Sequence, residues 1–366
     1  MESNDETSIE SLRRLLREFL AERSLAFREL AELRDKGWAN KEEGDTYFKR
    51  QRERADQASD RDAYRLFKMM QGIGDELQAT TGVLTLQKKP PEVLDLCMAP
   101  GGYSASALKY SPRAHVSGVT LPKEDGGHAL LIRRGSRDKR VQAIELDITM
   151  LWSEFCTEDI PEDHPDHSKF LPGQRPYLDK SFDLVFCDGQ VLRTHARATY
   201  RESNEALRLI CSQLILALQR IRPGGTMIIL LHKVDAWDSI KLLFQFSKFA
   251  DIQLFKPKKK HAQRSSFYLI ATNVNPIHPT AISAVTGWKS DWREATFAYQ
   301  ETPTPEGRPV PNSSEISQVL TEFGSTLIDL GEPIWATQRD ALKKADFIPK
   351  ETANSQLPIS PAALHS

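Results

Sequence analysis

The sequence has few cysteines, no long apolar run and no excess of charge of either sign. Its 366 residues include four cysteines, which are widely spaced and form no C-x-x-C pair. This spacing is typical of reduced, packed thiols and predicts neither a disulfide framework nor a metal site. No apolar run approaches the ~20 residues of a membrane span, and the polar residues 1–7 do not resemble a signal peptide. We therefore expect an intracellular protein that does not associate with membranes.

The charge is almost balanced, with 49 Lys and Arg against 50 Asp and Glu. A neutral total does not by itself indicate a nucleic-acid-binding protein. It does not exclude one either, because a local basic patch is enough for phosphate contact. The 40% of hydrophobic residues supports a sizeable core, and the length allows one large domain or two small ones.

Short apolar runs alternate with helical patterns through the middle of the chain. Runs of strand length cover residues 93–98, 115–121, 141–147, 182–187 and 227–232. Helical patterns follow Gly102 and cover residues 205–221. This alternation predicts an α/β domain with a mostly parallel sheet covered on both faces. Residues 251–255 and 266–272 predict a closing antiparallel pair, because only a short connection separates them.

The regions that flank this core predict helices. Thr7 and Glu10 have the spacing of a capping box, and apolar residues then recur at helical intervals. We divide the chain into a helical N-terminal extension (1–62), the α/β domain (63–275), a C-terminal linker with helices (276–349) and a disordered tail (350–366). The acid-, proline- and histidine-rich residues 152–180 are expected to form a surface insertion.

A glycine-rich turn follows the first predicted strand. Residues 93–104 have the pattern of a buried strand, a turn with Gly101 and Gly102, and a helix start. Glycines allow the backbone to approach a ligand closely, and a helix N-terminus offers free amides there. The turn lacks the G-x-G-x-x-G spacing, so a dinucleotide-dependent enzyme is not favoured.

The segment from Asp95 to Ser104 closely resembles the D-L-x-A-x-P-G-G-[FW]-[ST] signature of the FtsJ/RrmJ-like methyltransferases. These enzymes methylate ribose 2′-hydroxyls of RNA, and the resemblance extends over residues 63–273. It implies a Rossmann-like methyltransferase fold with S-adenosylmethionine as cofactor. The cofactor-binding residues that it implies at this turn are Asp95, Ala99, Pro100, Gly101, Gly102 and Tyr103.

Three further strand ends fit the same resemblance. Asp147 stands where the family accepts a hydrogen bond from the adenine amino group, although an N-cap of the following loop is an alternative role. Asp188, before Gly189, matches the family's D-L-V-x-[SC]-D-G segment and is expected to face the cofactor cleft. The second strand offers Thr120 in place of an acid for the ribose hydroxyls, and Leu121 is expected to pack against adenine.

The resemblance also implies a Lys-Asp-Lys-Glu catalytic tetrad, in which a lysine of lowered pKa near the aspartate is the usual base. Asp188 matches the tetrad aspartate. For the first lysine the alignment leaves Arg65 and Lys68 open, and we prefer Lys68. The position of the second lysine holds Leu230.

Two residues near that position are candidates for its role. Lys233 lies three residues further along, and the imidazole of His232 is a second possible base. Ser266 stands where the glutamate is expected, so the tetrad is incomplete.

A basic segment precedes the last predicted strand, from Lys256 to Arg264. Lysines at the rim of a cleft predict contact with RNA phosphates, whereas the alternative is an exposed, solvated loop. We therefore favour an RNA ribose 2′-O-methyltransferase. The alternatives are an inactive homologue that binds cofactor or RNA, and a methyltransferase that acts on a small molecule or a protein.

Overall fold

The computed structural model describes residues 2–39, 60–88, 90–132, 138–192, 194–195, 197–297 and 313–345. The predicted disordered tail lies outside the described residues, as do most of the charged residues 40–62. The strands in this part of the chain are β1 (Glu92–Leu96), β2 (His115–Thr120), β3 (Val141–Glu145), β4 (Phe182–Cys187), β5 (Ile221–His232), β6 (Asp251–Phe255) and β7 (Ser266–Val274).

The strands form one sheet in the order β3-β2-β1-β4-β5-β7-β6. Strands β1 to β5 are parallel to one another, and β7 lies antiparallel to both β5 and β6. The predicted α/β class, the mostly parallel sheet and the closing antiparallel pair are confirmed. The order reverses between β1 and β4, and in open α/β sheets such a switch point creates a ligand crevice at the carboxyl ends of the strands.

Helices cover both faces of the sheet. They are α1 (Glu2–Arg23), α2 (Leu25–Ala39), α3 (Asp60–Thr81), α4 (Gly102–Tyr110), α5 (Trp152–Phe155), α6 (Glu205–Arg220), α7 (Trp237–Phe246), α8 (Pro279–Phe297) and α9 (Ser313–Leu342). Val93 in β1 packs with Ile73 of α3 on one face, and its neighbour Leu94 packs with the core that contains Leu214 of α6. Successive strand residues point to opposite faces, so a buried two-sided sheet needs an unbroken apolar run.

The N- and C-terminal extensions are helical, as predicted, and pack on each other. Phe27 of α2 meets Trp335 of α9 edge to face, with ring centroids 5.2 Å apart. Arg34 of α2 binds Asp235, just after β5, at 3.1 Å. The proposed boundaries of the four regions stay predictions. None of the described helices is long and apolar enough to cross a membrane.

Residues 152–180, which were predicted to form a surface insertion, follow β3 and precede β4, and they combine exposed stretches with residues that pack into the core. Glu154 is fully buried and pairs with Arg220 of α6. Asp166 is buried beside Arg201, with 3.1 Å between their charged atoms. Trp152 packs against Phe170, with ring centroids 4.8 Å apart. Two acidic residues of this segment, Glu154 and Asp166, are therefore charge partners of buried arginines.

Candidate active site

A cavity lies at the carboxyl ends of the parallel strands, beside the switch point between β1 and β4. It is lined from one side by α3 and the turn after β1, and from the other by the segments that follow β2, β3 and β4. Six of the ten predicted cofactor residues line it: Ala99, Tyr103, Thr120, Leu121, Asp147 and Asp188. The other four, Asp95, Pro100, Gly101 and Gly102, are not part of the lining. The cofactor-binding roles of all ten stay predictions.

The two glycines of the turn are required by close packing. Gly101 has a φ of 97°, and a Cβ there would lie 2.8 Å from Ile132. A Cβ on Gly102 would lie 2.7 Å from the carbonyl oxygen of Phe67 in α3. Any larger residue at 102 would push α3 away, and α3 forms one wall of the cavity.

Asp95 supports this turn from behind. Its carboxylate accepts a hydrogen bond from the Ser104 hydroxyl at the start of α4. Burial raises the pKa of Asp95 to about 7, against the opposing effect of the hydrogen bonds from Ser104. The side chain thus connects the end of β1 to the first turn of α4.

Asp188 is the start of a buried chain of hydroxyl groups. The Tyr268 hydroxyl hydrogen-bonds to its carboxyl group, and Tyr268 and Tyr103 share a hydrogen bond of 2.5 Å between their hydroxyls. The Tyr103 ring stacks on Phe186 of β4 at 5.6 Å. Burial, and then the charge of Asp95, raise the pKa of Asp188 well above its ordinary value. Its Oδ1 is buried and has no hydrogen-bond partner among the described residues.

Asp147 has the N-cap role that the sequence left open. Its Oδ1 accepts from the Thr149 amide at 2.9 Å and from the Thr149 hydroxyl at 2.8 Å, which caps a short 3₁₀ turn. Burial opposes ionisation, but hydrogen bonds from His195 and Thr149 outweigh it and hold the pKa of Asp147 at about 2. The cap occupies only Oδ1, so the predicted adenine contact remains compatible with it.

His195 and Glu205 are site residues that the sequence analysis missed. His195 Nε2 lies 3.4 Å from Asp147 Oδ2, and its Nδ1 lies 4.0 Å from Glu205 Oε1. Glu205 Oε2 in turn lies 3.1 Å from Arg208. One ligand atom from each of Asp147, His195 and Glu205 lies within 4.8 Å of the other two, and Arg208 already neutralises Glu205. Together with Arg208 the three side chains form a chain of polar contacts.

The structure does not bring the predicted catalytic lysines into the cavity. Leu66, Met69 and Met70 of α3 line it, whereas Lys68 lies about 160° around the helix axis from Leu66. The Lys68 amine is exposed and donates to Gln71 at 3.0 Å. Lys233 is also exposed and does not line the cavity. Their catalytic roles stay predictions.

Leu230 lines the cavity, so an apolar side chain lies where the tetrad resemblance expected a lysine, and Tyr268 lines the cavity as well. His232 Nε2 lies 2.9 Å from Gln190 Oε1, and burial lowers the pKa of His232. His261 reaches the cavity from the basic loop, and burial followed by Arg264 lowers its pKa to about 4. Among the described lining residues there is no lysine or arginine.

The basic loop needs one correction. Lys256 is buried, and its amine donates to the carbonyl oxygens of His261, Arg264 and Ser266. It therefore cannot contact phosphate, because its three protons are used within the loop. Lys258, Lys259 and Lys260 are exposed. Contact between this loop and RNA stays a prediction.

A family model described as FtsJ-like methyltransferase matches residues 61–274. A solved structure of a Plasmodium falciparum protein assigned as a ribosomal RNA methyltransferase is 18% identical, with a TM-score of 0.37, covering 58% of this chain and 96% of that one. The N-methyltransferase NodS of Bradyrhizobium japonicum WM9, in complex with S-adenosyl-L-homocysteine, is 13% identical with a TM-score of 0.33. That match covers 54% of this chain and 86% of NodS. No curated protein matches the chain.

Proposed function

Because the chain belongs to the FtsJ-like methyltransferase family, which uses S-adenosylmethionine, we propose that it transfers a methyl group to a ribose 2′-hydroxyl of RNA. The observation that carries this proposal is the Asp188 carboxyl group. It lies at the carboxyl end of β4 with a buried oxygen that has no partner among the described residues. A buried acceptor left unpaired costs about 1–3 kcal/mol, which a ligand that supplies a donor recovers.

The cavity fits the cofactor by charge. S-adenosylmethionine carries a positive sulfonium and a positive amino group, and when bound it supplies an electrophilic methyl group. The lining offers the carboxyl groups of Asp147 and Asp188 and, among the described residues, no lysine or arginine. An approaching cation also makes ionisation of Asp188 easier, which offsets the effect of its burial.

RNA as substrate is supported by the family resemblance and by the exposed lysines of the basic loop. Lys258, Lys259 and Lys260 are exposed, and the same loop carries His261 into the cavity lining. Phosphates of a bound RNA would therefore be held outside the cavity while one ribose enters it. Such contacts position RNA without reading its sequence.

The cavity also favours a second candidate function, a homologue that binds cofactor or RNA without catalysis. Leu230 and Ser266 stand at two tetrad positions, and Lys68 points away from the cavity. The substitutions Lys68→Met and Lys233→Met test the two predicted lysines. Loss of a general base lowers the rate about 10²–10⁴-fold, whereas a surface lysine changes it little.

Two measurements test the proposal. Calorimetry with S-adenosylmethionine measures cofactor binding, and transfer of labelled methyl to RNA, followed by alkaline hydrolysis, detects 2′-O-methylated nucleotides because they resist cleavage. We expect transfer by the wild type, loss with Asp188→Ala, and normal transfer with Asp179→Ala, whose side chain is exposed. Cofactor binding without methyl transfer to any RNA tested would favour the second candidate.

A further inference from the structure

Five residues form a closed ring of polar contacts at the end of the cavity beside β3. Asp147 accepts from Thr149, and the Thr149 carbonyl oxygen accepts from Arg208 at 3.1 Å. Arg208 donates to Glu205 at 3.1 Å. His195 lies between Glu205 and Asp147 and closes the ring. Asp147, Thr149, His195 and Glu205 all line the cavity.

The ring leaves one acceptor position free on Asp147. An ionised carboxyl group has about four lone-pair positions. The amide and hydroxyl of Thr149 occupy the two on Oδ1, and His195 Nε2 lies against Oδ2. The remaining position on Oδ2 is available to a ligand, and only while the carboxyl plane keeps its present orientation.

We propose that His195 is a positioning residue that holds Asp147 ready for the adenine amino group of S-adenosylmethionine, and that Glu205 holds His195. This inference rests on the predicted contact between Asp147 and adenine. Thr149 fixes one carboxylate oxygen and His195 fixes the other, so the carboxyl group cannot rotate about its Cβ–Cγ bond. The free acceptor position then selects a donor at C6 of the purine and disfavours a carbonyl oxygen there.

The loop that carries His195 is also anchored on the segment that follows β2. The neighbouring Thr194 hydroxyl donates to the carbonyl oxygen of Gly126 at 2.8 Å. A Cβ on Gly126 would lie 2.1 Å from the Thr194 carbonyl oxygen, so the two segments touch directly. His195 is therefore held both by its side chain and by its chain neighbour, as a positioning residue requires.

The test compares two probes, S-adenosylhomocysteine and S-inosylhomocysteine. The first has an amino group at C6 and an unprotonated N1, and the second has a carbonyl oxygen at C6 and a proton on N1. Calorimetry measures both dissociation constants for the wild type and for His195→Ala. We expect the variant to bind S-adenosylhomocysteine about tenfold more weakly and to bind the inosyl analogue with an affinity within about twofold of wild type. The conservative His195→Gln, whose amide can still donate to Asp147, is expected to restore most of the loss.

The surface pair of His115 and Glu92 provides a matched control, with 3.1 Å between His115 Nδ1 and Glu92 Oε1 and with His115 half-exposed. His115→Ala is expected to change neither affinity. Equal affinity of wild type and His195→Ala for S-adenosylhomocysteine would overturn the inference, as would an equal loss for both probes or a failure of the wild type to bind. Because no RNA is used, a wild type that binds as expected but does not methylate RNA overturns the substrate proposal alone.

Discussion

The amine of Lys256 lies 2.8 Å from the carbonyl oxygen of Ser266, at the start of β7. The same amine also donates to the carbonyls of His261 and Arg264, and it is only 5% exposed. One side chain thus closes a loop of nine residues onto the sheet. Because that loop carries His261 to the cavity, the hydrogen bonds of Lys256 also help to fix the position of His261 in the cavity lining.

Replacing Lys256 by methionine keeps the length of the side chain and removes its three donors. Three buried carbonyl oxygens then lose a partner, so we expect the free energy of unfolding to fall by about 1–3 kcal/mol. The matched control is Lys259→Met in the same loop, which is exposed and is expected to change stability by less than about 0.5 kcal/mol. Urea unfolding measures both variants. Equal stabilities of Lys256→Met and the wild type would show that the hydrogen bonds of the Lys256 amine do not stabilise the protein.

Asp95 predicts an unusual dependence of stability on pH. Its pKa is about 7 in the folded protein, above the ordinary 3.8. The folded state therefore binds the proton of Asp95 more tightly than the unfolded state does. The stabilisation that results is complete below pH ~4 and is lost as the pH rises through 7. Asp95→Asn stays neutral and can still accept from Ser104.

We therefore expect Asp95→Asn to match the wild type near pH 4 and to exceed it at pH 8 by up to about 4 kcal/mol. Urea unfolding at several pH values measures the difference, with Asp179→Asn as the exposed control. A stability difference that does not grow with pH would mean that Asp95 is ionised throughout. Cofactor affinity of the same variant measures the predicted binding role of this residue separately.

The hydrogen-bonded chain of Asp188, Tyr268 and Tyr103 predicts that substitutions within it have non-additive effects on the free energy of unfolding. Tyr103→Phe keeps the ring on Phe186 and removes one hydroxyl, which is expected to cost about 1 kcal/mol. Tyr268→Phe is expected to cost about 2 kcal/mol, because it leaves both the Tyr103 hydroxyl and the Asp188 carboxyl group without that partner. The double variant should cost less than the two single costs together, by about 1 kcal/mol.

A thermodynamic cycle from urea unfolding checks this coupling, and strictly additive losses would contradict the shared hydrogen bonds.

The same variants are also expected to differ in cofactor binding. The Tyr268 hydroxyl lowers the pKa of Asp188 against the effect of burial, so its removal makes ionisation of Asp188 harder. We expect Tyr268→Phe to weaken S-adenosylmethionine binding more than Tyr103→Phe does, as measured by calorimetry.

The sheet and the position of the cavity were predictable because their causes are local. A buried parallel strand needs an unbroken apolar run, and each predicted run became a strand. Asp147 and Asp188 stand at strand ends, which topology alone brings to one edge of the sheet. The sequence pattern therefore located the acids of the site without knowledge of any side-chain contact.

The positions of several other side chains depend on tertiary contacts that the sequence pattern does not show. Lys68 was preferred from its position in a motif, but the rotation of α3 about its axis decides which residues face the cavity. Lys256 looked like one more solvated lysine because a run of basic residues does not show which member is buried. His195 lies seven residues after Asp188, and only the fold of the intervening loop brings it to Asp147.

The approach of α3 to the turn after β1 makes Gly102 sensitive to a single methyl group. A Cβ there would lie 2.4 Å from the Met70 Cβ and 2.7 Å from the Phe67 carbonyl oxygen, and backbone atoms cannot yield as a flexible side chain does. We expect Gly102→Ala to lower the free energy of unfolding by about 1–3 kcal/mol and to weaken cofactor binding, because α3 is a wall of the cavity.

The control is Gly72→Ala in α3, where a Cβ would have no neighbour within 4 Å. An exposed helical glycine replaced by alanine gains about 0.5–1 kcal/mol, so the two substitutions should have opposite signs in urea unfolding. A gain in stability for both would show that α3 can shift away from the turn without cost.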